Sequence, residues 1–563
     1  MLTRERFIAE VGSGSVKTLA VPLATRLLAD QLTPVLAYRR LVAGDERSAP
    51  SFLLESVEGG ERQGRYSILG AQPILHVTAK IGAGNTPTTT VRDFRHARND
   101  RSGVVRENPL AVCRAIAGEF ELRAVAPANR RDALPTAFLG GWVGYAGYDT
   151  VRLAEPEKLA SVPRDDRGLP DLDFAFYDGV VVFDHVDKLV WVIQLAMVEP
   201  GADAGEAFDR AAAKLARRID DIQRHSRPLP AGVYQPETGA GAALSSNMSR
   251  EEHASMVARA KEYIRAGDIF QVVLGQRFER VSKADPFDVY RALRAVNPSP
   301  YMVYLQASGC ILVASSPEIL CRVRRNAGGG LVVTNRPLAG TRRRGMTPEE
   351  DAALEQELLA DPKERAEHIM LVDLGRNDVG VVARAGTIRL DAVMEIERYS
   401  HVMHISSTVT GELRAGLDAW DALAAALPVG TISGAPKVRA MQIIDELEPI
   451  KRGAYGGGMG CVGLDGQMDI ALTLRTMVVP HGLKKDGAWT YHLQASGGIV
   501  ADSEAGPEYQ ETVNKSAALA RAIDVAERSF GGTGTGHWGK RRSEERNGES
   551  GSGGVERSGG NRA

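Results

Sequence analysis

Cysteine is scarce in this sequence of 563 residues, which contains only Cys113, Cys310, Cys321 and Cys461. No two of them form a Cys-x-x-Cys pair, so neither a disulfide framework nor a structural zinc site is predicted. Because a chain without disulfides is typical of a reducing compartment, we expect a cytoplasmic protein.

Long apolar runs and an excess of one charge are also missing. The most apolar long stretch, residues 179–198, is interrupted by Asp184, His185, Asp187 and Lys188, which argues against a membrane span. The N-terminal segment contains no apolar signal core. With 69 Lys and Arg against 71 Asp and Glu, no broad basic surface for nucleic acid is expected. The 43% of hydrophobic residues are instead typical of a globular protein with a large core.

Changes in composition divide the chain into four predicted regions. Residues 1–225 contain short β-rich runs, and residues 226–247, rich in Pro, Gly, Ala and Ser, are predicted to be a linker or surface loop. Residues 248–530 carry clear helix signals. The Gly-, Ser-, Arg- and Glu-rich tail at 531–563 is predicted to be disordered, because it has too few apolar residues to offset its ordering entropy.

Local signals predict both helices and strands. Ser249 and Glu252 form a capping box, and Gly267 is expected to end the helix that they begin. Residues 174–183 and 189–198 predict two strands of a hairpin. Strands and helices without regular alternation favour an α+β fold over a doubly wound sheet. Four further helices are predicted to begin at Pro348, Pro362, Pro436 and Pro507.

Two pairs of carboxylates lie at predicted helix starts. Glu364 and Glu367 are three residues apart and therefore share a helix face, and Glu508 and Glu511 repeat the spacing, followed by Lys515. Such a pair is usually a solvated acidic first turn favoured by the helix dipole. If the two pairs converge, they would instead suit a hard divalent cation, with Mg²⁺ as the first choice.

At these residues the chain resembles the chorismate-utilising enzymes, and within them the anthranilate synthase large (aminase) subunits. Seven motifs in one order carry the resemblance, and two shorter N-terminal runs add to it. The motifs are GDIFQVV (267–273), SPE (316–318), PLAGT (337–341), EHIMLVDLGRND (367–378), YSHVMH (399–404), GTISGAPK (430–437) and residues 494–515, and the N-terminal runs are LLES (53–56) and GRYS (64–67). The resemblance implies an α+β fold in which two packed antiparallel sheets are surrounded by helices and an active-site cleft.

The resemblance also implies a Mg²⁺-dependent lyase that aminates chorismate at C2 with ammonia and then eliminates pyruvate. Glu367 and Glu511 would be the direct ligands of Mg²⁺, and Glu364 and Glu508 would act around them, through water. Residues 248–530 would then be the chorismate-binding catalytic region.

Three residues are expected to carry the catalytic steps. Glu318 would protonate the departing C4 hydroxyl, although a turn acid after Pro317 is the alternative interpretation. Gln271 stands where water-adding relatives have a lysine, and its neutral amide fits ammonia as the nucleophile. His404 would move a proton during pyruvate elimination as an imidazole that titrates near neutrality. Ala339 stands where aminodeoxychorismate synthases have a lysine that bonds the substrate covalently.

A larger set of residues matches positions that line the chorismate pocket in the family. Arg475 offers bidentate binding to a carboxylate, and the glycines allow backbone N–H groups to approach an anion. The full set is Gly340, Thr341, Thr431, Tyr455, Arg475, Ser496, Gly497, Gly498 and Lys515.

The resemblance implies a regulatory site as well. Glu55 and Ser56 together with Pro300, Tyr301 and Met302 resemble the two walls of a site for L-tryptophan as feedback inhibitor, which residues 1–225 would partly carry. An ordinary buried strand is the alternative for the first wall.

The chain has no good match to a glutaminase nucleophile motif. The nearest, GCVGLD around Cys461, departs from the Gly-x-Cys-x-Gly-x-Gln pattern, so a separate glutamine amidotransferase subunit would supply ammonia. The rival functions are aminodeoxychorismate synthase, aminodeoxyisochorismate synthase and, in another class, a non-catalytic tryptophan-binding regulator.

Overall fold

The computed structural model describes residues 2–11, 15–42, 50–58, 62–95, 103–125, 133–224, 229–234, 244–399, 402–427 and 429–531. Most of the predicted linker at 226–247, and all but the first residue of the predicted tail, lie outside these residues.

Strands and helices alternate irregularly along the described residues. The strands are β1 (Thr18–Leu28), β2 (Ser51–Glu58), β3 (Arg62–Ala71), β4 (Leu75–Ile81), β5 (Pro87–Asp93), β6 (Gly103–Val105), β7 (Phe120–Leu122), β8 (Gly141–Ala146), β9 (Leu172–Tyr177), β10 (Gly179–Asp184), β11 (Leu189–Val198), β12 (Ser245–Ser246), β13 (Gln271–Ser282), β14 (Tyr301–Ala307), β15 (Cys310–Ser316), β16 (Ile319–Arg325), β17 (Leu331–Arg336), β18 (Leu338–Arg343), β19 (Arg389–Arg398), β20 (Val402–Glu412), β21 (Gly434–Ala435), β22 (Gly458–Gly463), β23 (Met468–Leu472), β24 (Thr476–Pro480) and β25 (Trp489–Ile499). The α-helices are α1 (Arg4–Val11), α2 (Pro34–Leu41), α3 (Pro109–Ala117), α4 (Ala204–Gln223), α5 (Arg250–Ala266), α6 (Pro286–Val296), α7 (Pro348–Ala360), α8 (Pro362–Val382), α9 (Ala419–Ala426), α10 (Gly430–Ser433), α11 (Lys437–Leu447) and α12 (Ala505–Phe530).

The strands form two large sheets. The first has the order β12-β13-β25-β24-β15-β14-β2-β3-β10-β11-β1-β7, with β21 added against β13. The second has the order β18-β20-β17-β16-β23-β22-β8-β9-β4-β5-β6, with β19 added against β20. The pairing is antiparallel except between β1 and β7. Both sheets contain strands from before and after residue 240, so the two halves of the sequence share one core.

The two sheets pack face to face through a common apolar layer. Phe52 and Leu312 of the first sheet belong to the same buried cluster as Tyr145 and Met459 of the second. Helices α2, α6 and α12 cover the outer face of the first sheet, and α3, α8 and α9 cover that of the second. Strands buried on both faces have nearly continuous apolar sequences rather than alternating ones. The predicted α+β class is therefore confirmed.

The predicted hairpin is present, but one of its strands was predicted wrongly. β10 and β11 pair antiparallel as expected. Residues 174–183 are not one strand, because the chain leaves the second sheet after Tyr177 and enters the first at Gly179. Apolar residues continue across this corner, so the sequence pattern does not change where the chain changes sheets.

The helix signals located the starts of α5, α8 and α12 to within two residues. Ser249 and Glu252 form the predicted capping box of α5. The Asp361 side chain caps α8 by accepting from the N–H groups of Lys363 and Glu364. Helix α12 begins at Ala505, two residues before the predicted start at Pro507. Among the helices of the described residues, none is both long and apolar enough to cross a lipid bilayer.

Candidate active site

Two glycines at the end of β25 form the floor between the two carboxylate-bearing helices. A Cβ atom on Gly497 would lie 3.1 Å from Glu508 Oε2 and 3.7 Å from Glu511 Oε2, both on α12. A Cβ atom on Gly498 would lie 2.5 Å from Gln271 Nε2, closer than real contacts allow. A larger residue at either position would displace the end of a Glu or Gln side chain that packs over the strand.

Gln271 connects Gly498 to α8, the helix that bears Glu364 and Glu367. Its Nε2 donates to Glu367 Oε1 of α8 across 3.4 Å, and its backbone lies on β13, which pairs with β25. Glu364, one turn earlier on α8, lies beside Gly340, where a Cβ would be 3.2 Å from Glu364 Oε2. The structure therefore brings the starts of α8 and α12 to one small region between β13 and β25 of the first sheet and β18 of the second.

Burial and the closeness of these carboxylates raise the pKa values of two of them. Burial, and then the charge of Glu367, raises the pKa of Glu364. Burial also raises the pKa of Glu508, and the charge of Glu511 adds to the shift. Glu508 Oε2 is buried without a hydrogen-bond partner. A cation between the pairs would remove these unfavourable interactions.

The donor set fits a hard cation but is not assembled as a complete metal shell. Carboxylate oxygens are the ligands that Mg²⁺ prefers. No group of three or more His, Cys, Asp or Glu side chains within the described ranges is close enough together to hold a metal ion. Lys515 occupies part of the region: its Nζ lies 2.6 Å from Glu511 Oε1 and donates to the Ser496 carbonyl across 2.9 Å.

Glu318, between β15 and β16, is a buried acid rather than a surface turn residue. It is 7% exposed, and burial raises its pKa to about 8, although the nearby Thr431 hydroxyl opposes the shift. Its carboxyl group is therefore protonated at neutral pH and available as a proton donor. Thr431, on the short helix α10, is thus placed beside a predicted catalytic group.

His404, on β20, is neutral with a defined tautomer. Its Nδ1 lies 2.9 Å from the Gly340 carbonyl oxygen, which only accepts hydrogen bonds, so Nδ1 carries the proton. The Thr341 hydroxyl lies 3.1 Å from the same nitrogen. Nε2 is buried and has no hydrogen-bond partner among the described residues. It is therefore left with a free lone pair.

The expectation that His404 titrates near neutrality is wrong. Burial, with a smaller contribution from the charge of Arg475, lowers its pKa to about 4. At pH 7 the imidazole is a proton acceptor only, and a charge on it exists only transiently.

Arg475 supplies a positive charge to the same region. It adopts a left-handed backbone conformation with φ of 44°, and burial lowers its pKa. Its guanidinium makes no ion pair with any carboxylate in the described part of the chain, so it suits a carboxylate of a ligand. The Tyr455 hydroxyl donates to Ser496 Oγ across 3.0 Å, and burial raises the pKa of Tyr455 to about 12. Tyr455 therefore stays a neutral donor beside the glycine floor.

Sequence reasoning did not identify Glu397 and Tyr399 as site residues. Tyr399 packs against His404 with ring centroids 5.5 Å apart, and its hydroxyl donates to Glu397 Oε2 across 2.7 Å. The available signal was their period-2 spacing at the end of a strand that leads into YSHVMH, which places both on one face.

The five residues of the predicted inhibitor site line one cavity of about 770 Å³. The Glu55 carboxylate is already bound by two residues of α6. The Tyr290 hydroxyl donates to it across 2.6 Å, and Arg294 forms an ion pair with it at 2.8 Å. Tyr301 donates to Asp469 Oδ1 across 3.0 Å. The lining of the cavity also includes Glu397 and Tyr399, and Tyr399 packs against His404.

Comparisons with known proteins show the family of this chain. The chorismate binding enzyme family matches residues 61–521. The chloroplastic anthranilate synthase alpha subunit 1 of Oryza sativa subsp. indica is 52% identical over 91% of this chain and 89% of its own length. Anthranilate synthase component 1 of Pseudomonas aeruginosa is 43% identical over 94% of this chain and 100% of its own length.

Solved structures extend the similarity to the fold. Anthranilate synthase component I of Streptococcus pneumoniae superposes with a TM-score of 0.65 at 32% identity, covering 88% of this chain and 99% of that chain. The menaquinone-specific isochorismate synthase of Escherichia coli, at 17% identity, covers 92% of this chain and 98% of that chain with a TM-score of 0.61, and shares the fold. From the family match over most of its length, this chain belongs to the chorismate-binding enzymes.

Proposed function

We propose that this chain is the large subunit of an anthranilate synthase. It would be a lyase that aminates chorismate at C2 with ammonia, eliminates pyruvate and releases anthranilate, the first committed step of L-tryptophan biosynthesis. Relatives at 43–52% identity with that name support the proposal. The observation that carries it is the Gln271 amide beside Glu367, because a lysine would be needed there to activate water.

Two further residues separate this function from its nearest rivals. Ala339 is a buried methyl group next to Gly340 and cannot form the covalent bond of an aminodeoxychorismate synthase. His404 presents an unprotonated Nε2, which an enzyme that stops at aminodeoxyisochorismate does not need. Both therefore favour complete conversion to anthranilate.

Substrate binding would use the charges around the glycine floor. Glu367 and Glu511 would hold Mg²⁺, with Glu364 and Glu508 around them, and the ion would supply positive charge for the ring carboxylate of chorismate. Arg475, without an ion pair of its own in the described residues, would bind the second carboxylate. Gly340, Thr341 and residues 496–498 would line the ring.

Amination needs a proton for the leaving group. The buried carboxyl group of Glu318 would give its proton to the C4 hydroxyl, which then leaves as water while ammonia bonds to C2. Elimination needs a base, and His404 Nε2 would take the proton from the ring carbon that bears the new amino group.

We also propose feedback inhibition by L-tryptophan bound in the 770 Å³ cavity. The volume suits an indole with its amino-acid group, and the lining combines apolar side chains with a few polar ones. Its walls would be Glu55, Ser56, Pro300, Tyr301 and Met302.

Ammonia would come from a separate glutamine amidotransferase subunit. Cys461 is buried, and burial raises its pKa to about 12, which is unfavourable for a nucleophilic thiolate. The two chains would form a heterodimer or a heterotetramer.

The test is an assay of the purified chain with chorismate, Mg²⁺ and an ammonium salt, following anthranilate fluorescence and pyruvate. We expect both products in equal amounts, and no product when glutamine replaces ammonium. A non-catalytic regulator would consume no chorismate, an aminodeoxychorismate synthase would give an aminated product without pyruvate, and glutamine-dependent turnover by the chain alone would contradict the partner.

A further inference from the structure

Glu397 lies directly across the sheet from His404. In the antiparallel pairing of β19 with β20, these two residues are register partners. Side chains of directly opposed residues are on the same face of a sheet, with Cβ atoms about 4.5–5.5 Å apart. The two side chains thus leave the sheet as neighbours on one face, and the charge of Glu397 acts on the imidazole, although seven positions separate the two residues in sequence.

The Glu397 carboxylate makes one hydrogen bond and one ion pair. Oε2 accepts from the Tyr399 hydroxyl across 2.7 Å, and Oε1 forms an ion pair with Arg336 of β17. Tyr399 in turn lies against His404, with an angle of 61° between the rings. Through its hydrogen bond, Glu397 therefore holds the Tyr399 ring against the His404 imidazole.

The charges around His404 act in opposite directions. Arg475 and Lys515 disfavour a positive charge on the ring and lower its pKa, whereas the Gly340 carbonyl and Glu397 favour the charge and raise it. Glu397 is itself paired with Arg336, so its effect is local and depends on its fixed position.

We propose that Glu397 is a positioning residue for pyruvate elimination, which holds the Tyr399 ring against His404 and stabilises the imidazolium that His404 becomes. This inference rests on the proposed function. In the elimination step, Nε2 takes the proton from the aminated ring carbon. The electron pair of that C–H bond completes the aromatic ring while the C–O bond to the enolpyruvyl group breaks, and the departing enolate takes up a proton to become pyruvate.

A variant that removes only the charge tests this role. Glu397→Gln keeps an acceptor for the Tyr399 hydroxyl, and Glu395→Gln is the matched control because Glu395 is an exposed residue of the same strand. With chorismate, Mg²⁺ and ammonium, both the aminated intermediate and anthranilate are measured. We expect Glu397→Gln to lower anthranilate formed per chorismate consumed about tenfold, since a neighbouring charge shifts a pKa by about one unit or more. KM for chorismate should change by less than about twofold.

A purely structural role would slow both steps together, so an unchanged product ratio in Glu397→Gln would overturn the inference. If that variant does not fold, Tyr399→Phe decides, because it keeps the ring and removes only the hydroxyl that binds Glu397. We expect release of the intermediate from Tyr399→Phe as well, and a normal product ratio would again overturn the inference. A wild-type chain that forms no anthranilate would overturn the proposed function and the inference together, whereas wild-type anthranilate formation with unchanged variants overturns the inference alone.

Discussion

The Gln271 amide donates to the Glu367 carboxylate across 3.4 Å and so connects a strand of the first sheet to the helix that bears one carboxylate pair. Gln271 is 4% exposed and packs against Gly498, which belongs to the proposed substrate site. A neutral donor here leaves the negative charge of Glu367 available to a cation.

Gln271→Lys should lower ammonia-dependent anthranilate formation by about tenfold or more, because an ammonium group next to Glu367 would neutralise the carboxylate. The concentration of Mg²⁺ that gives half-maximal activity should rise as well. Gln510→Lys, an exposed position on α12 close to Glu511, is the control and should change neither quantity. Unaltered kinetics in Gln271→Lys would contradict the placement of Gln271 at the reacting centre.

The pH dependence of amination should report Glu318. With a pKa raised to about 8, its carboxyl group is protonated at pH 7 and loses its proton as the pH rises through about 8. If the acid form gives the proton to the leaving hydroxyl, kcat at a fixed concentration of free ammonia should be constant below pH 8. Above pH 8 it should decrease about tenfold per pH unit. Free ammonia itself increases with pH, so total ammonium must be adjusted at each point.

Glu318→Gln tests whether Glu318 is the group that causes this decrease in kcat at alkaline pH. The amide has no proton to give, so chorismate consumption should fall about 10²–10⁴-fold and the residual activity should lose the alkaline decrease. If kcat of the variant still decreases near pH 8, another group causes the decrease.

Much of the fold was predictable because helix starts depend on local chemistry. The caps of α5 and α8 were identified from Ser249, Glu252 and Pro362, since capping hydrogen bonds involve residues within three positions. The corner between β9 and β10 was not, because both strands are buried on both faces and their sequences continue without a change in period.

The site was only partly predictable, since its contacts join distant segments. The spacing of Glu508 and Glu511 places both on one helix face, but their approach to Gln271 depends on the register of β13 with β25. The Glu397–His404 pairing is also set by register, and β19 contains irregularities before Glu395 that no alternation pattern reveals. The low pKa of His404 follows from burial, which a single motif does not encode.

Mg²⁺ should stabilise the folded chain by binding the carboxylate pairs. A ligand that binds only the native state raises Tm in proportion to the logarithm of its concentration once it exceeds Kd. We expect a rise in Tm with Mg²⁺ that is lost in Glu367→Gln and in Glu511→Gln. Glu349→Gln, in the exposed first turn of α7, is the control and should retain the full response. An equal response in all three variants would place the ion elsewhere or exclude it.

Ser56→Arg should weaken inhibition by L-tryptophan. Ser56 lines the 770 Å³ cavity beside Glu55, whose carboxylate is already bound by Tyr290 and Arg294, so an added guanidinium would extend into the space proposed for the inhibitor. We expect the concentration of tryptophan for half-maximal inhibition to increase about tenfold or more, which corresponds to a loss of about 1.4 kcal/mol of binding free energy. Ser245→Arg, at an exposed position on β12, provides the same substitution outside the cavity and should leave the inhibition curve in place. If both variants are inhibited like the wild type, tryptophan does not bind against Ser56; if the wild type itself is not inhibited, the cavity has another ligand or none.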